Sequence, residues 1–188
     1  MKLRVMIIGL LFLSCSLFGQ TAKTGFIGLN IGTSYILNKQ PKDVGVGANL
    51  NLINFGYEIK NGFGVTLKWM GSAHSYKTLD SENEIGYGAI LVGPMYSVAV
   101  SENIKLDFKI QPGLFWVSEK TEGAGFKGSF QKISISGLSA GVTFRHNFTK
   151  RWCWMLLVDY NSGLTPGGLN TEKRLNTIST NVGVGFRI

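Results

Sequence analysis

From Ile27 to Ile188 the chain alternates apolar residues with glycine, serine, asparagine, threonine and a few charged residues. Successive side chains of a β-strand point to opposite faces, so a period of two predicts strands with one apolar face. No stretch combines a 3.6-residue period with helix caps. The alternation predicts eight strands, within residues 27–35, 44–52, 63–70, 85–100, 104–116, 138–145, 152–161 and 178–188.

The connections between these runs are alternately long and short. The long, polar ones cover residues 36–43, 75–84, 118–131 and 162–175, and the short ones cover residues 58–62, 101–103 and 146–151. This pattern is typical of up-and-down membrane barrels, which have short periplasmic turns and longer outer loops. An even number of strands returns both chain ends to one side. We therefore expect an all-β fold, an eight-stranded antiparallel transmembrane β-barrel in the outer membrane, with both termini in the periplasm.

Composition indicates which face of such a barrel points inward. A soluble, lipocalin-like barrel exposes charged residues, whereas a membrane barrel turns its apolar face to lipid. Charged residues make up only 16% of this chain, against about 25% in soluble domains. The abundant glycines suit the narrow lumen of an eight-stranded barrel. Aromatic residues near both strand ends are typical of the two membrane interfaces, so the membrane form is favoured over the soluble one.

The first residues have the pattern of a secretory signal peptide. Lys2 and Arg4 precede a short apolar run, which small and polar residues follow. The run is shorter than the roughly 20 residues that a spanning helix needs. We predict that residues 1–19 are a signal peptide and that residues 20–188 form the barrel domain. Cys15 lies in the segment to be removed, with lipidation of this cysteine as the alternative.

Several charged residues fall on the face predicted to line the lumen. Four lie deep along their strands: Lys68, Asp107, Lys109 and Asp159. Buried charges are tolerated when they are paired and hydrogen-bonded, so we predict that these four form an ion-pair network that closes the lumen. The alternative is that some are hydrated singly. Three further cations are expected at the turn-side rim, within reach of water: Lys105, Arg145 and Arg187.

The fourth run changes phase. Its apolar positions are odd before Gly93 and even after it, and the odd ones are Ile85, Tyr87, Ala89 and Leu91. This change predicts a β-bulge at Gly93–Pro94. Pro94 and Pro112 lie at similar heights on neighbouring strands, and each lacks a backbone donor. We expect one bulge shared between the fourth and fifth strands.

The C-terminal segment carries a recognisable pattern. A polar residue, a glycine two positions later and alternating apolar residues resemble the outer-membrane β-signal, here Asn181, Gly183, Phe186 and Ile188, with Ile188 in place of the usual phenylalanine. Together with the glycine-rich strands and the Gly93–Tyr96 segment, this pattern resembles the small outer-membrane β-barrel domains of the OmpA, OmpX and PorT-like type, over residues 24–188. The resemblance implies a Gram-negative envelope and recognition by the barrel-assembly machinery.

Residues with catalytic potential are few. His74 follows Ser72 and precedes an acidic segment, and some small outer-membrane barrels modify lipid A, but the strand phase turns His74 toward the lumen. A serine hydrolase needs an acid that orients its histidine. Two histidines and Cys153 do not make a metal-binding pattern. No nucleotide-binding motif follows a strand. We expect no enzymatic activity, no cofactor, no metal site and no nucleic-acid partner.

Basic residues on the predicted loops favour an anionic partner. Six of them could reach the sugar–phosphate surface of the outer leaflet: Lys39, Lys42, Lys120, Lys127, Lys173 and Arg174. The expected partners are outer-membrane lipid and lipopolysaccharide, and the sequence names no protein that binds the loops. The first hypothesis is a non-enzymatic barrel with a structural or surface-interaction role. The alternatives are a small porin, a secretion accessory barrel and a lipid A-modifying enzyme.

Overall fold

A computed structural model describes residues 25–37, 45–78, 81–123, 126–165 and 173–188. It contains eight β-strands, which are β1 Gly25–Ile36, β2 Gly47–Lys60, β3 Phe63–Thr78, β4 Ser81–Ala99, β5 Ile104–Gly123, β6 Phe126–Asn147, β7 Trp152–Thr165 and β8 Lys173–Arg187. Each strand pairs antiparallel with the next, and β8 pairs with β1 to close the barrel. The predicted eight-stranded antiparallel barrel is confirmed. Within these residues, no helix is long and apolar enough to cross a membrane.

Apolar and polar residues alternate along the strands because successive side chains face the lipid and the lumen in turn. Along β1, Leu29 and Ile31 are 52% and 64% exposed on the outside, whereas Asn30 between them is 1% exposed on the inside. The other strands also turn apolar side chains outward, and their inward side chains are mostly polar except along β4. An apolar exterior around a polar interior is the inverse of a soluble barrel. The strands therefore form a transmembrane barrel.

Two belts of aromatic residues mark the boundaries of this apolar surface. On the turn side, Trp152 packs against Phe186 with ring centroids 5.4 Å apart. On the loop side, Tyr160 and Tyr35 flank Ile178 on neighbouring strands. Eight residues of β7 separate Trp152 from Tyr160, which is about 26 Å along the strand and about 20 Å along the membrane normal at a tilt of about 40°. This height fits the apolar layer of an outer membrane, about 25 Å.

The short turns lie at one end of the barrel. β2 and β3 are joined by Asn61 and Gly62, whose φ angles are 53° and 84°. Both residues of a type I′ hairpin turn need positive φ, and asparagine followed by glycine meets that need at little cost. The Glu58 side chain accepts a hydrogen bond from the Gly62 backbone N–H at 3.2 Å. The turn between β6 and β7 is held by Thr149, whose hydroxyl accepts the N–H of Trp152 at 2.9 Å.

The strands extend further on the loop side than the sequence predicts. Residues 75–84 and 118–131 were expected to be connections, but β3 and β4 are paired as far as Thr78 and Ser81, and β5 and β6 as far as Gly123 and Phe126. Polar side chains there suggest a loop. The backbone nevertheless stays in the ladder, because pairing with a neighbouring strand satisfies its N–H and C=O groups whatever the side chains are.

The predicted bulge at Gly93–Pro94 is wrong. Leu91 pairs with Gly113 and Met95 with Lys109, so the register between β4 and β5 is the same on both sides of the prolines. The ladder is only interrupted there, since residues 92–94 and 110–112 make no pairs with each other. In this register Pro94 is level with Ile110 and Pro112 with Val92, so the two prolines are offset by two positions. Each lacks a backbone donor, but neither adds a residue to its strand.

The change of phase instead lies in β2. Both Leu52 and Ile53 point outward, and the register shifts against β1 and β3 at this point. β4 has no such irregularity and keeps a single phase along its length. Residues predicted on the apolar outer face therefore point into the lumen, namely Ile85, Tyr87, Ala89 and Leu91. The prediction was wrong because lipid and a packed lumen are both apolar surroundings, which hydrophobicity does not distinguish.

Candidate functional site: the barrel lumen

The lumen contains two apolar clusters. The turn-side cluster consists of Phe26, Met95, Cys153, Met155 and Leu157. The loop-side cluster consists of Met70, Tyr87, Ala89, Leu91, Phe115, Val117 and Leu175. Charged residues lie between the two clusters, since Asp159 follows Leu157 by two positions on β7 and Lys68 precedes Met70 by two on β3. The barrel is therefore filled with side chains along its axis.

Lys68 and Asp159 form an ion pair across the lumen. The Lys68 Nζ lies 3.2 Å from Asp159 Oδ2, and the two side chains are 0% and 1% exposed. The ammonium also donates to Ser139 Oγ at 2.7 Å and to Asn161 Oδ1 at 3.3 Å. Lys68 on β3 thus contacts side chains of β6 and β7, which are not neighbours of β3 in the barrel. The pair therefore braces the barrel across its interior.

Asp107 and Arg145 form a second, separate pair. The guanidinium donates from Nε and Nη2 to the two carboxylate oxygens at 2.5 and 2.9 Å, and Ser97 Oγ donates to Asp107 Oδ1 at 2.6 Å. Arg145 is 3% exposed, so its predicted position at a watery rim is wrong. Its guanidinium carbon lies 4.3 Å from the centre of the Phe26 ring. The long side chain reaches inward, where its guanidinium makes an ion pair with Asp107 and a cation–π contact with Phe26.

The other two predicted rim cations differ from Arg145. Lys105 is 27% exposed and lies 2.7 Å from Glu58 Oε2. Arg187 is only partly buried, and its Nη1 donates to the Thr149 carbonyl at 3.5 Å. Both remain near the short turns, where water can screen their charges.

Lys109 differs from the other three residues of the predicted network. Its Nζ is buried and has no hydrogen-bond partner among the residues that the structure describes. Lys109 pairs along the ladder with Gly141, which pairs with Asp159 on the next strand. A Cβ on Gly141 would overlap the Asp159 carboxylate. Three of the four residues are thus in two separate pairs, Lys68 with Asp159 and Asp107 with Arg145. Lys109 lies beside the first pair.

A tyrosine that the sequence interpretation placed toward lipid connects both sides of the lumen. The Tyr87 hydroxyl lies 2.5 Å from Ser34 Oγ on β1 and donates to Thr177 Oγ1 on β8 at 2.9 Å. Its ring stacks on Phe115 with centroids 5.6 Å apart. Because tyrosine has an apolar ring and a polar tip, it can belong to the loop-side cluster and still cross the lumen. Tyr87, Met95 and Ser97 are all at odd positions of one uninterrupted strand. This shared parity is the signal that could have shown that Tyr87 faces the lumen.

Amide side chains line the wall formed by β8, β1 and β2. Four asparagines there are buried, with no hydrogen-bond partner for either side-chain polar atom within the described residues, namely Asn30, Asn49, Asn51 and Asn181. Glycines make room for them, because a Cβ on Gly183 would overlap Asn30. The partly buried charged residues described on these strands, Glu58 and Arg187, lie near the short turns, whereas the buried ion pairs are formed by side chains of β3, β5, β6 and β7.

His74 is buried near the loop-side end of the lumen. Its Nε2 lies 3.3 Å from Ser72 Oγ and its Nδ1 lies 3.3 Å from the Gly45 carbonyl. Ser72 Oγ donates to the Ala48 carbonyl at 2.7 Å. The Ser–His pair therefore has no carboxylate in the position that orients a catalytic histidine. Glu84 is exposed on the outside, and Asp80 and the side chain of Glu82 lie outside the described part.

The residues of the predicted assembly signal lie at the closing seam. Asn181 points into the lumen, Gly183 lies over Asn30, and Phe186 packs on Trp152. Ile188 donates its N–H to the Gly25 carbonyl at 3.0 Å and accepts the Gly25 N–H at 3.2 Å. These two bonds join β8 to β1 at the turn-side end.

Some of the predicted features fall outside the described residues. These include the signal peptide, Cys15, Lys39 and Lys42. Lys127 and Lys173 lie in strands whose side chains are not described at those positions, while Lys120 and Arg174 are exposed. No group of three histidine, cysteine, aspartate or glutamate side chains within the described residues could hold a metal ion.

Comparison with solved structures places this geometry among known barrels. Neisserial surface protein A matches 90% of this chain and 100% of its own, with a TM-score of 0.60 and 14% identity. Ail, the attachment invasion locus protein of Yersinia pestis, matches 89% of this chain and 100% of its own, with a TM-score of 0.57 and 17% identity. The chain has the fold of the small eight-stranded outer-membrane β-barrels. No protein-family model matches the sequence, and no curated protein is significantly similar to it.

Proposed function

We propose that this protein is an integral outer-membrane protein without enzymatic activity, with both termini in the periplasm and a surface-interaction role. Its barrel is an anchor that solutes do not cross, and its long strands are the contact surface. The observation that carries this proposal is the filled lumen. Tyr87 crosses it on the loop side, and the Lys68–Asp159 pair crosses it below. A steady pore needs an aqueous path, which these side chains occupy.

Single-channel recording tests the closed barrel. We expect the refolded protein to give no reproducible conductance steps in a planar lipid bilayer. The double variant Tyr87→Ala/Phe115→Ala shortens two side chains of the loop-side cluster and should increase the frequency of brief openings. Stable open steps of the unmodified protein would support the porin alternative instead.

The strand lengths support a role at the cell surface. β5 and β6 contain 20 and 22 residues, whereas about 9–11 residues suffice to cross a membrane. The two strands stay paired up to Gly123 and Phe126. The β5–β6 hairpin therefore continues about ten residues past the membrane, or about 33 Å of strand. With the termini in the periplasm, this hairpin projects from the cell.

Cysteine labelling of intact cells tests this orientation. Lys120→Cys places a thiol on the exposed part of β5, and Lys150→Cys places one in the exposed turn between β6 and β7. Both variants carry Cys153→Ser. A membrane-impermeant maleimide should label the first variant in intact cells and the second only after the outer membrane is opened. The reverse pattern would invert the proposed orientation.

The lipid A-modifying alternative has its own measurement. His74 and Ser72 are turned into the lumen and are 0% and 9% exposed, away from lipid at the barrel surface. We therefore expect identical lipid A mass spectra from cells that express the protein and from cells that express His74→Ala. A modification that disappears with His74→Ala would establish an enzyme.

A further inference from the structure

The outer wall of the barrel has a groove between β2, β3 and β5. Its volume is about 440 Å³, and its lining includes Leu50, Leu52, Trp69, Gly71, Ala73 and Trp116. We call it the outer groove. Pockets that hold small ligands measure about 300–1,000 Å³, so the outer groove is large enough for a ligand and not merely a gap between two side chains.

The groove exists because glycines interrupt a row of outward side chains. Leu50, Gly71, Gly88 and Trp116 follow one another across four neighbouring strands. The Trp116 indole lies over Gly88, where a Cβ would overlap it. At Gly71, by contrast, a Cβ would meet no atom closer than 3.9 Å. Trp116 thus forms one wall, Leu50 the other, and Gly71 the open floor.

The position of the groove indicates what fills it. Gly71 lies eight residues above Phe63 on β3, and Trp116 eight above Phe108 on β5. Phe63 and Phe108 both pair with Tyr96, in the turn-side aromatic belt. Eight residues correspond to about 20 Å of height at a tilt of about 40°. Trp152 and Tyr160 of the two aromatic belts are separated by the same number of residues. The groove therefore lies level with the loop-side belt, in the part of the loop-side leaflet nearest the headgroups.

A cation lies above the groove on the same face. Lys120 is exposed on β5, four residues beyond Trp116, which is about 13 Å along the strand. Its cross-strand neighbour is Glu84, also exposed. The groove can hold an acyl chain, and the Lys120 ammonium above it can bind a negatively charged headgroup. Together they are complementary to an anionic lipid. Glu84 partly offsets the attraction of Lys120 for a phosphate, so the headgroup is expected to contribute less to binding than the groove does.

We propose that the outer groove binds an acyl chain of lipid A in the outer leaflet, with a lipid A phosphate at Lys120. This inference rests on the proposed outer-membrane location and orientation. The site differs from general lipid contact because Trp116, folded over Gly88, and the bare Gly71 form a cleft that admits one chain between side chains.

Native mass spectrometry of the protein extracted in mild detergent from lipopolysaccharide-containing outer membranes tests this site. Gly71→Leu fills the open floor without overlap, and Val158→Leu is the matched control, outward on β7 and away from the groove. We expect a lipid A adduct on the wild-type protein and on Val158→Leu. Gly71→Leu should reduce that adduct at least about ten-fold, the effect of withdrawing two or three methylene groups from the groove.

Lys120→Gln tests the headgroup separately and should weaken the adduct less than Gly71→Leu does. No lipid A adduct, a phospholipid adduct in its place, or an adduct unchanged by Gly71→Leu would overturn the inference. Heat-modifiable migration of each variant verifies that its barrel is folded. A folded barrel in the outer membrane without the adduct refutes only lipid A binding at the groove. Maleimide labelling that shows the opposite orientation refutes the proposed function on which this inference rests.

Discussion

Asp159→Ala removes the counter-charge of a lysine that has no access to water. Lys68 and Asp159 are 0% and 1% exposed and lie 3.2 Å apart. After the substitution, the Lys68 ammonium keeps its hydrogen bonds to Ser139 and Asn161 but loses its nearest anion. Removal of one partner from a buried pair costs about 3–5 kcal/mol of the free energy of unfolding. At about 2–4 °C per kcal/mol, the melting temperature should fall by about 6–20 °C.

The melting temperature is measured as the loss of heat-modifiable migration in detergent gels, and the free energy by urea unfolding from lipid vesicles. The double variant Lys68→Met/Asp159→Ala removes both charges and should be more stable than Asp159→Ala alone, because no uncompensated ammonium remains. Lys105→Gln is the control. It breaks a partly exposed pair with Glu58 and should cost less than about 1 kcal/mol.

Two results would refute this reasoning. If Asp159→Ala has the same melting temperature as the wild-type protein, the Lys68–Asp159 pair does not stabilise the barrel. If the double variant is as unstable as the two single changes together, the two charges are not coupled, and the loss then comes from packing alone.

Three further changes test other parts of the barrel. Tyr87→Phe removes the hydroxyl that connects β4 to β1 and β8 and should cost about 1–3 kcal/mol in urea unfolding; no change would show that these bonds do not hold the lumen closed. Gly141→Ala brings a Cβ onto the Asp159 carboxylate and should cost about 1–3 kcal/mol, while Gly45→Ala, with nothing within 4 Å, should be nearly neutral. Phe186→Ala should lower the amount of folded barrel in cells but not after refolding in detergent, whereas Val182→Ala should affect neither; equal yields in cells would argue against an assembly signal.

The fold could be predicted because its rules are local. The alternation from Ile27 onward needs only neighbouring residues, and Asn61–Gly62 specifies its own turn. The predicted burial was also right along β5, where Phe108 and Ile110 face outward and Lys109 faces inward. Each of these inferences depends on residues a few positions apart.

The contents of the lumen could not be predicted in the same way. Which residue faces Lys68 depends on the tilt of the strands and on how far each one is shifted along its neighbours. Arg145 illustrates this, because its sequence position is next to a turn while its guanidinium is buried against Asp107 and Phe26. Such relations join distant parts of the chain. Tyr87 faces the lumen because β4 keeps one phase from Tyr87 to Ser97, although an apolar residue at that position fits the lipid face equally well.

The seam between β1 and β8 has a consequence for how the molecule is made. The bonds between Gly25 and Ile188 join the first strand to the last, while every other pair of neighbouring strands is adjacent in the chain. Until β8 has emerged from the ribosome, β1 has one unpaired edge and an apolar face with no cover. A chain of this design cannot complete its fold during synthesis. The barrel closes only when β1 pairs with β8, so the first strand waits for the last one.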